Sequence, residues 1–212
     1  MSLFATVAEQ LLFQWENQSV LEIVAVTLSI GYIFFASRAS IWCWPCALLS
    51  TGIFTFLFFD VNLLQESALN VYYLGMAVYG WWHWRGDDNA SQRPIIRWNM
   101  KRHLVIIFCV AVVALVSGWT SDNWLNADFP YLNGFTVWFS VFTTYLVARK
   151  VFENWFYWLV INPTSFYILF QKELYLTCAL MVVYFVMSIY GIFEWYRQWK
   201  KQSNEQSFAM PG

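Results

Sequence analysis

Four residues in the second half of the chain have the types and the spacing needed to hold a flat aromatic ring. Residues three, four or seven positions apart share one face of an α-helix, so the four form a single stripe of two indoles flanked by two amides. Indoles stack on aromatic rings and attract cationic rings through their faces, while amides can bond polar ring edges. The stripe therefore predicts a substrate-binding site. Its members are Asn154, Trp155, Trp158 and Asn162.

The alternative for Trp155 and Trp158 is an aromatic belt at a membrane interface. An inward-facing site is favoured because unpaired amides are costly in lipid, and Asn162 falls near the middle of its predicted helix. Pro163 removes a backbone donor and is expected to bend that helix.

Two further regions contribute candidate substrate-binding residues. Asn70 and Tyr73 are three residues apart, so they share a helix face and are expected to line the same cavity. Glu194 has two interpretations. It either faces a cationic substrate or pairs with a neighbouring base such as Arg197.

The sequence contains no motif for the common catalytic sites. It has no P-loop, no H-E-x-x-H and no G-x-S-x-G. Cys43 and Cys46 have C-x-x-C spacing, but no second pair or nearby histidine completes a metal site, so they are interpreted as small apolar helix residues. We therefore predict no catalytic residue, no metal and no cofactor, and we expect that the chain is not an enzyme.

The composition indicates a membrane protein. Of 212 residues, 59% are hydrophobic and 12% are charged, whereas soluble domains carry about 25% charged residues. This fraction of charged residues is too small to cover a surface that faces water. A net charge of −1 gives no indication of nucleic-acid binding.

A spanning helix needs about 20 mostly apolar residues, and the chain offers seven such segments. An additional helix at positions 3 to 15 is expected to lie on the outer membrane surface, and the tail after Trp199 is expected to be disordered. The seven predicted spans cover residues 20–37, 42–59, 68–84, 103–119, 132–148, 153–171 and 174–195.

Lysine and arginine set the predicted orientation. With seven spans, eleven of the twelve basic residues fall on one side, and Lys172 alone falls on the other. Because basic residues are enriched on the cytoplasmic side, we predict that this side of a multi-pass inner-membrane protein is cytoplasmic. Its N-terminus is outside and its C-terminus is in the cytoplasm.

An internal repeat relates the third and seventh spans. At an offset of 111 residues, seven of 17 pairs between 69–85 and 180–196 are identical, where composition alone gives about one or two. Weaker matches precede them, among which Trp42 corresponds to Trp155. The fold class predicted is all-α, with a 3+1+3 arrangement of two parallel three-helix repeats and a linker helix, as in the SWEET sugar transporters.

This arrangement divides the chain into five parts. They are an external interfacial segment at 1–19, a first repeat at 20–85, a cytoplasmic loop and linker helix at 86–119, a second repeat at 120–197 and a cytoplasmic tail at 198–212.

Three elements in this order resemble the PnuC family of bacterial vitamin transporters, over residues 20–197. They are Asn70 with Tyr73, the run Tyr79-Gly80-Trp81-Trp82 with Trp84, and the run Glu153-Asn154-Trp155 with Trp158. The resemblance implies facilitated import of nicotinamide riboside, which a cytoplasmic kinase then traps by phosphorylation. It also implies a homotrimer with a SWEET-like fold in the lipid bilayer.

The resemblance also implies roles for the candidate residues. Trp155 and Trp158 would stack the cationic pyridinium ring of nicotinamide riboside, and Asn154, Asn162 and Asn70 would bond its amide or ribose. Stacking does not distinguish flat vitamins, so thiamine and riboflavin stay open as substrates, as does a sugar. A non-transporting receptor or membrane subunit is the alternative from a different class.

Overall fold

The computed structural model of the protein describes residues 3–16, 18–60, 64–85, 93–125 and 127–209. Within these ranges every regular element is an α-helix, apart from one isolated bridge between Ile96 and Val151. The helices are α1 (Leu3–Glu16), α2 (Val20–Ser37), α3 (Cys43–Asp60), α4 (Leu64–Trp84), α5 (Met100–Leu125), α6 (Pro130–Ala148), α7 (Asn154–Gln171) and α8 (Tyr175–Ala209).

The predicted helices are confirmed, with differences at the ends of α4, α5 and α8. α4 begins at Leu64, four residues before its predicted start. Each predicted span coincides with one helix from α2 to α8, and the helix predicted at 3 to 15 is α1. α5 is longer than predicted at both ends. The prediction of a disordered tail after Trp199 is wrong, because α8 continues to Ala209. Residues 86–92 of the predicted loop and residues 210–212 lie outside the described residues.

Two of the contacts of α8 beyond residue 195, where the predicted span ends, stabilise its extension. Gln202 accepts a hydrogen bond through Oε1 from the backbone N–H of Ile95 at 3.1 Å. Lys201 and Glu205 form an ion pair at 3.9 Å, one helical turn apart. A polar sequence therefore remains helical here because its side chains have partners in the preceding segment and along the helix.

In the part of the chain that the structure describes, three helical segments are long and apolar enough to cross a membrane: Val20–Ser37, Met100–Trp124 and Tyr175–Glu205. α3 adds a shorter apolar stretch, Cys43–Leu57. The outer surface is also apolar, since large side chains such as Phe108 and Phe193 are each 70% exposed. An all-helical chain with this outer surface fits a membrane protein.

The helices form two packed sets. α2 and α4 both contact α3, and α6 and α8 both contact α7. The sets meet where α2 packs on α8 and α4 packs on α6, while α5 packs on the outside of α6. The turns after α2 and α6 lie at the same end of the bundle, beside Arg38, Arg149 and Lys150. We call this the basic end.

Those two turns have the same backbone conformation. Ala39 and Lys150, 111 positions apart, both have a φ of 54°, in the left-handed region. Each donates its backbone N–H to a carbonyl three residues earlier, Ala36 or Val147, at 2.9 Å. The turns reverse the chain in the same way and bring the next helix back toward the cavity.

The structure corrects one correspondence drawn from the sequence. The counterpart of Trp155 is Trp44, at the same 111-residue offset, and not Trp42. Trp44 packs on Gly80 as Trp155 packs on Gly191, whereas Trp42 is 61% exposed. Each glycine leaves room for an indole where a methyl group would overlap it.

Candidate functional site

A cavity of about 310 Å³ lies between the two sets of helices. Its walls come from α2, α3 and α4 on one side and from α6, α7 and α8 on the other. The volume is at the lower end of the range of small-molecule sites. The cavity therefore has the position and the size to hold one small molecule between the helix sets.

Four of the residues predicted from the sequence line this cavity: Asn70, Tyr73, Trp158 and Asn162. Asn162 is only 2% exposed and donates through Nδ2 to the Ser188 hydroxyl at 3.2 Å. This bond fixes the amide plane. The structure thus brings together one indole, two amides and a phenol from α4 and α7.

Asn154 and Trp155 lie outside the cavity, in the first turn of α7 at the basic end. Asn154 is fully buried and donates to the Val151 carbonyl at 2.7 Å. Trp155 is 1% exposed and sits edge-on to Trp195, with ring centroids 5.5 Å apart. Asn154 and Trp155 do lie on the same face of α7 as Trp158 and Asn162. The first turn of α7 is packed against α8, however, so the side chains of Asn154 and Trp155 are part of the core.

Glu194 also lies outside the cavity. Its carboxylate pairs with Arg197 at 2.8 Å and accepts a hydrogen bond from Gln198 at 2.8 Å. Of the two interpretations of Glu194, the structure shows the local pair, because α8 places both partners within one turn of the carboxylate.

Several lining residues were not singled out by the sequence analysis, among them Tyr32, Trp44 and Tyr184. One signal was available. Tyr184 is the partner of Tyr73 at the 111-residue offset, so extending the offset to every candidate would have identified it. Eight pairs of lining residues have this offset: Ser29/Ser140, Ile33/Thr144, Ala47/Trp158, Ser50/Ile161, Thr51/Asn162, Phe54/Ser165, Asn70/Met181 and Tyr73/Tyr184.

The hydrogen bonds in the middle of the cavity cross between the helix sets. Tyr184 of α8 donates to the Ser29 carbonyl of α2 at 3.3 Å. Tyr73 of α4 lies beside the Ser140 side chain of α6. These two contacts are related by the same offset, so the cavity lies where the helix sets exchange equivalent contacts.

The described lining of the cavity has no Asp, Glu, Lys, Arg or His side chain. Its polar groups are hydroxyls and amides, set among indole, phenol and aliphatic groups. Such a lining can stack a ring and bond neutral polar groups, but it offers no ion partner to a charged group.

A tryptophan cluster lies between the cavity and the basic end. It consists of Trp44, Trp84, Trp195 and Trp155, whose successive ring centroids are 5.3, 6.0 and 5.5 Å apart. Trp44 belongs to both the cavity wall and the cluster. The four packed indoles therefore separate the cavity from this end of the bundle.

Two indole N–H groups of this cluster join the helix sets. Trp84 donates to the carbonyls of Val147 and Ala148, each at 3.1 Å. Trp195 donates to the Ala36 carbonyl at 2.9 Å. Each indole thus crosses to the turn at the end of the opposite set.

Comparison with known proteins finds similarity to transporters. A family profile described as "Nicotinamide mononucleotide transporter" matches residues 19–197. The riboflavin/roseoflavin transporter RibM of Streptomyces davaonensis is 24% identical over 84% of this chain and 83% of its own length. The nicotinamide riboside transporter PnuC of Escherichia coli is 22% identical, over 89% of this chain and 88% of its own length.

A solved structure has the same fold. The crystal structure of the vitamin B3 transporter PnuC superposes with a TM-score of 0.68 at 22% sequence identity. The superposition covers 94% of this chain and 90% of that one.

Proposed function

The chain belongs to the nicotinamide mononucleotide transporter family, and from that membership we propose that it imports nicotinamide riboside by facilitated diffusion. The family match establishes the coarser statements: the resemblance to PnuC is confirmed, the chain is a vitamin transporter and not an enzyme, and it is a multi-pass inner-membrane protein. A cytoplasmic kinase that phosphorylates the product would keep the uptake gradient inward.

The uncharged, aromatic lining of the cavity is the observation that carries the choice of substrate. A phosphate among these residues would be buried without an ion partner, which is costly. A nucleoside or free vitamin therefore fits better than the mononucleotide in the family's description. The pyridinium ring of nicotinamide riboside would stack on Trp158, where the indole face attracts its charge. Asn162 and Asn70 would bond its amide or ribose.

This proposed site keeps four of the residues predicted from the sequence: Asn70, Tyr73, Trp158 and Asn162. Asn154, Trp155 and Glu194 are left out because they do not reach the cavity. Riboflavin is the second candidate substrate, since a riboflavin transporter is among the relatives. Thiamine or a sugar fits the same lining with less support from the comparisons.

For the architecture we propose seven spans in a 3+1+3 arrangement of parallel repeats, with α5 as the linker. The eight offset pairs in the cavity and the two identical turns support it. The excess of lysine and arginine supports placing the basic end in the cytoplasm and the N-terminus outside. The homotrimer rests on the family resemblance, and light scattering of the purified protein tests it.

Uptake into proteoliposomes tests the proposed function. We expect purified protein to transport labelled nicotinamide riboside without ATP or an ion gradient, and riboflavin and thiamine serve as competitors. Trp158→Ala should weaken binding by about 1–3 kcal/mol through loss of stacking. Trp119→Ala, on the outside of α5 and 52% exposed, is the control and should have no effect.

Other results would decide between the alternatives. Strict dependence on a proton gradient would rule out the uniport mechanism. Binding without flux would indicate a receptor or subunit. Equal affinity in Trp158→Ala and the wild type would remove Trp158 from the site.

A further inference from the structure

Most hydroxyl groups in the cavity wall already have partners within the protein. Ser29 and Thr51 donate to carbonyls of their own helices at 2.9 and 2.7 Å. Tyr184 donates across the helix sets to the Ser29 carbonyl at 3.3 Å, and Tyr73 lies beside the Ser140 side chain. A substrate therefore meets few polar groups that are available without first breaking a bond.

Tyr32 of α2 differs from these groups. Its ring lies deep in the bundle near Tyr73 and Tyr184, yet part of its surface remains accessible because it faces the cavity. Among the described residues, its hydroxyl has no hydrogen-bond partner. A phenol hydroxyl without a partner in a mostly apolar wall is costly, and a bound molecule would supply the missing bond.

The second helix set has no equivalent of this phenol. The counterpart of Tyr32 at the 111-residue offset is Thr143, which is fully buried and donates to the Phe139 carbonyl at 2.6 Å. Conversely, Trp158 has the small Ala47 as its counterpart. The cavity is therefore asymmetric at these two pairs of positions. The Trp158 indole is present only in the second helix set, and the unpaired Tyr32 phenol only in the first.

These two groups come from separate walls. α2 packs on α3 and α8, and α7 packs on α6 and α8. A ring stacked on Trp158 would place its polar edge toward Asn162, one turn along the same helix, and its substituent toward the other walls. We propose that Tyr32 is a specificity-determining residue whose hydroxyl bonds the sugar or polyol chain of the substrate.

This proposal rests on the proposed function and is tested with ligand pairs that differ in the sugar. Nicotinamide riboside is compared with 1-methylnicotinamide, which keeps the cationic ring and the amide. Riboflavin is compared with lumiflavin, which keeps the flavin ring. Affinities are measured by titration calorimetry on the purified full-length protein.

We expect Tyr32→Phe to weaken binding of the sugar-bearing member about five- to tenfold, the effect of one lost hydrogen bond. The sugar-free member should bind as it does to the wild type. The melting temperature without ligand should not fall, because the hydroxyl has no partner to lose.

Tyr72→Phe is the matched control. Tyr72 neighbours Tyr73 but does not line the cavity, and its hydroxyl donates to the Val141 carbonyl at 2.8 Å. This variant should lose stability and keep its affinity for both members of each pair.

The outcomes separate the two claims. If the wild type binds none of these compounds, the proposed function and the role of Tyr32 both fail. If the wild type binds these compounds, but Tyr32→Phe changes the affinity for neither member of a pair or for both members equally, only the role of Tyr32 is overturned.

Discussion

Lys150 is a buried lysine at the turn between α6 and α7. It is 3% exposed, its Nζ lies 4.5 Å from the centre of the Trp84 ring, and it donates to the Arg93 carbonyl at 2.9 Å. Burial lowers the pKa of its ammonium group from 10.5 to about 8. The turn therefore contains a buried ammonium group whose charged form is less stable in the protein than in water.

The pKa of Lys150 predicts a pH dependence of stability. Since its pKa is lower in the folded state, the unfolded chain binds more protons between pH 8 and 10.5. Stability should therefore rise with pH across this window, and the gain is lost as pH falls through about 8. The melting temperature of the wild type minus that of Lys150→Met, measured in detergent, should increase from pH 8 to 10.

The exposed Lys200 provides the control, because Lys200→Met leaves the buried ammonium in place. Its melting temperature should follow that of the wild type across the same window. A wild-type curve parallel to that of Lys150→Met would show that Lys150 has an ordinary pKa.

At the residue scale, the sequence predicted the candidate site in part. The spacing of Trp158 and Asn162 placed both on the cavity wall, because helix periodicity is a local property. It could not show that Trp155, on the same face, is covered by Gly191 and Trp195, since that depends on the packing of α8. Tyr32 was missed because it lies in an ordinary apolar run.

At the element scale, glycine positions decide how closely α4 approaches α3. A methyl group on Gly80 would overlap the Trp44 indole, whereas one on Gly75 of the same helix meets no atom within 4 Å. The two glycines are therefore not equivalent, although both lie inside one helix. The close contact at Gly80 lets Trp44 lie between α3 and α4.

We predict opposite effects of alanine at these two positions. Gly80→Ala should destabilise the protein by about 1–3 kcal/mol, because an inserted methyl group forces the indole to move. Gly75→Ala should be neutral or slightly stabilising, because alanine favours the helix. Melting temperatures in detergent compare the two variants directly. Equal losses would mean that helix context, and not the Trp44 contact, decides the outcome.

The helices themselves were predictable because each apolar run is bounded by polar or turn residues. The ends of α5 and α8 were not, since polar residues extend both helices beyond the apolar run. The bond from Ile95 to Gln202 joins segments 107 positions apart. No local sequence pattern encodes such a contact. The sequence of a polar tail that forms a helix therefore resembles the sequence of a disordered tail.

At the scale of the whole molecule, the two helix sets are joined by exchanged contacts. Trp84 reaches the turn after α6 and Trp195 reaches the turn after α2. We expect release of a substrate at the basic end to need separation of these turns, and with it the breaking of both bonds. The proposed repeat makes them equivalent, and each should contribute similarly to holding this end closed.

We therefore expect Trp84→Phe and Trp195→Phe each to shift the protein toward a state open at the basic end. Each variant keeps an aromatic ring and loses the N–H donor. A hydrogen bond contributes about 1 kcal/mol, which corresponds to about a fivefold change in population. Cys43 is fully buried in the same core and reports the opening through its rate of modification by a thiol reagent.

The measurement uses a background in which the other cysteines, Cys46, Cys109 and Cys178, are replaced by serine. Modification of Cys43 should be about fivefold faster in each variant and faster still in the double variant. Trp119→Phe, on the exposed face of α5, should match the background. If one bond alone held the turns, only one of the two variants would respond. Unchanged rates in both would mean that ring packing, and not the exchanged hydrogen bonds, keeps the basic end closed.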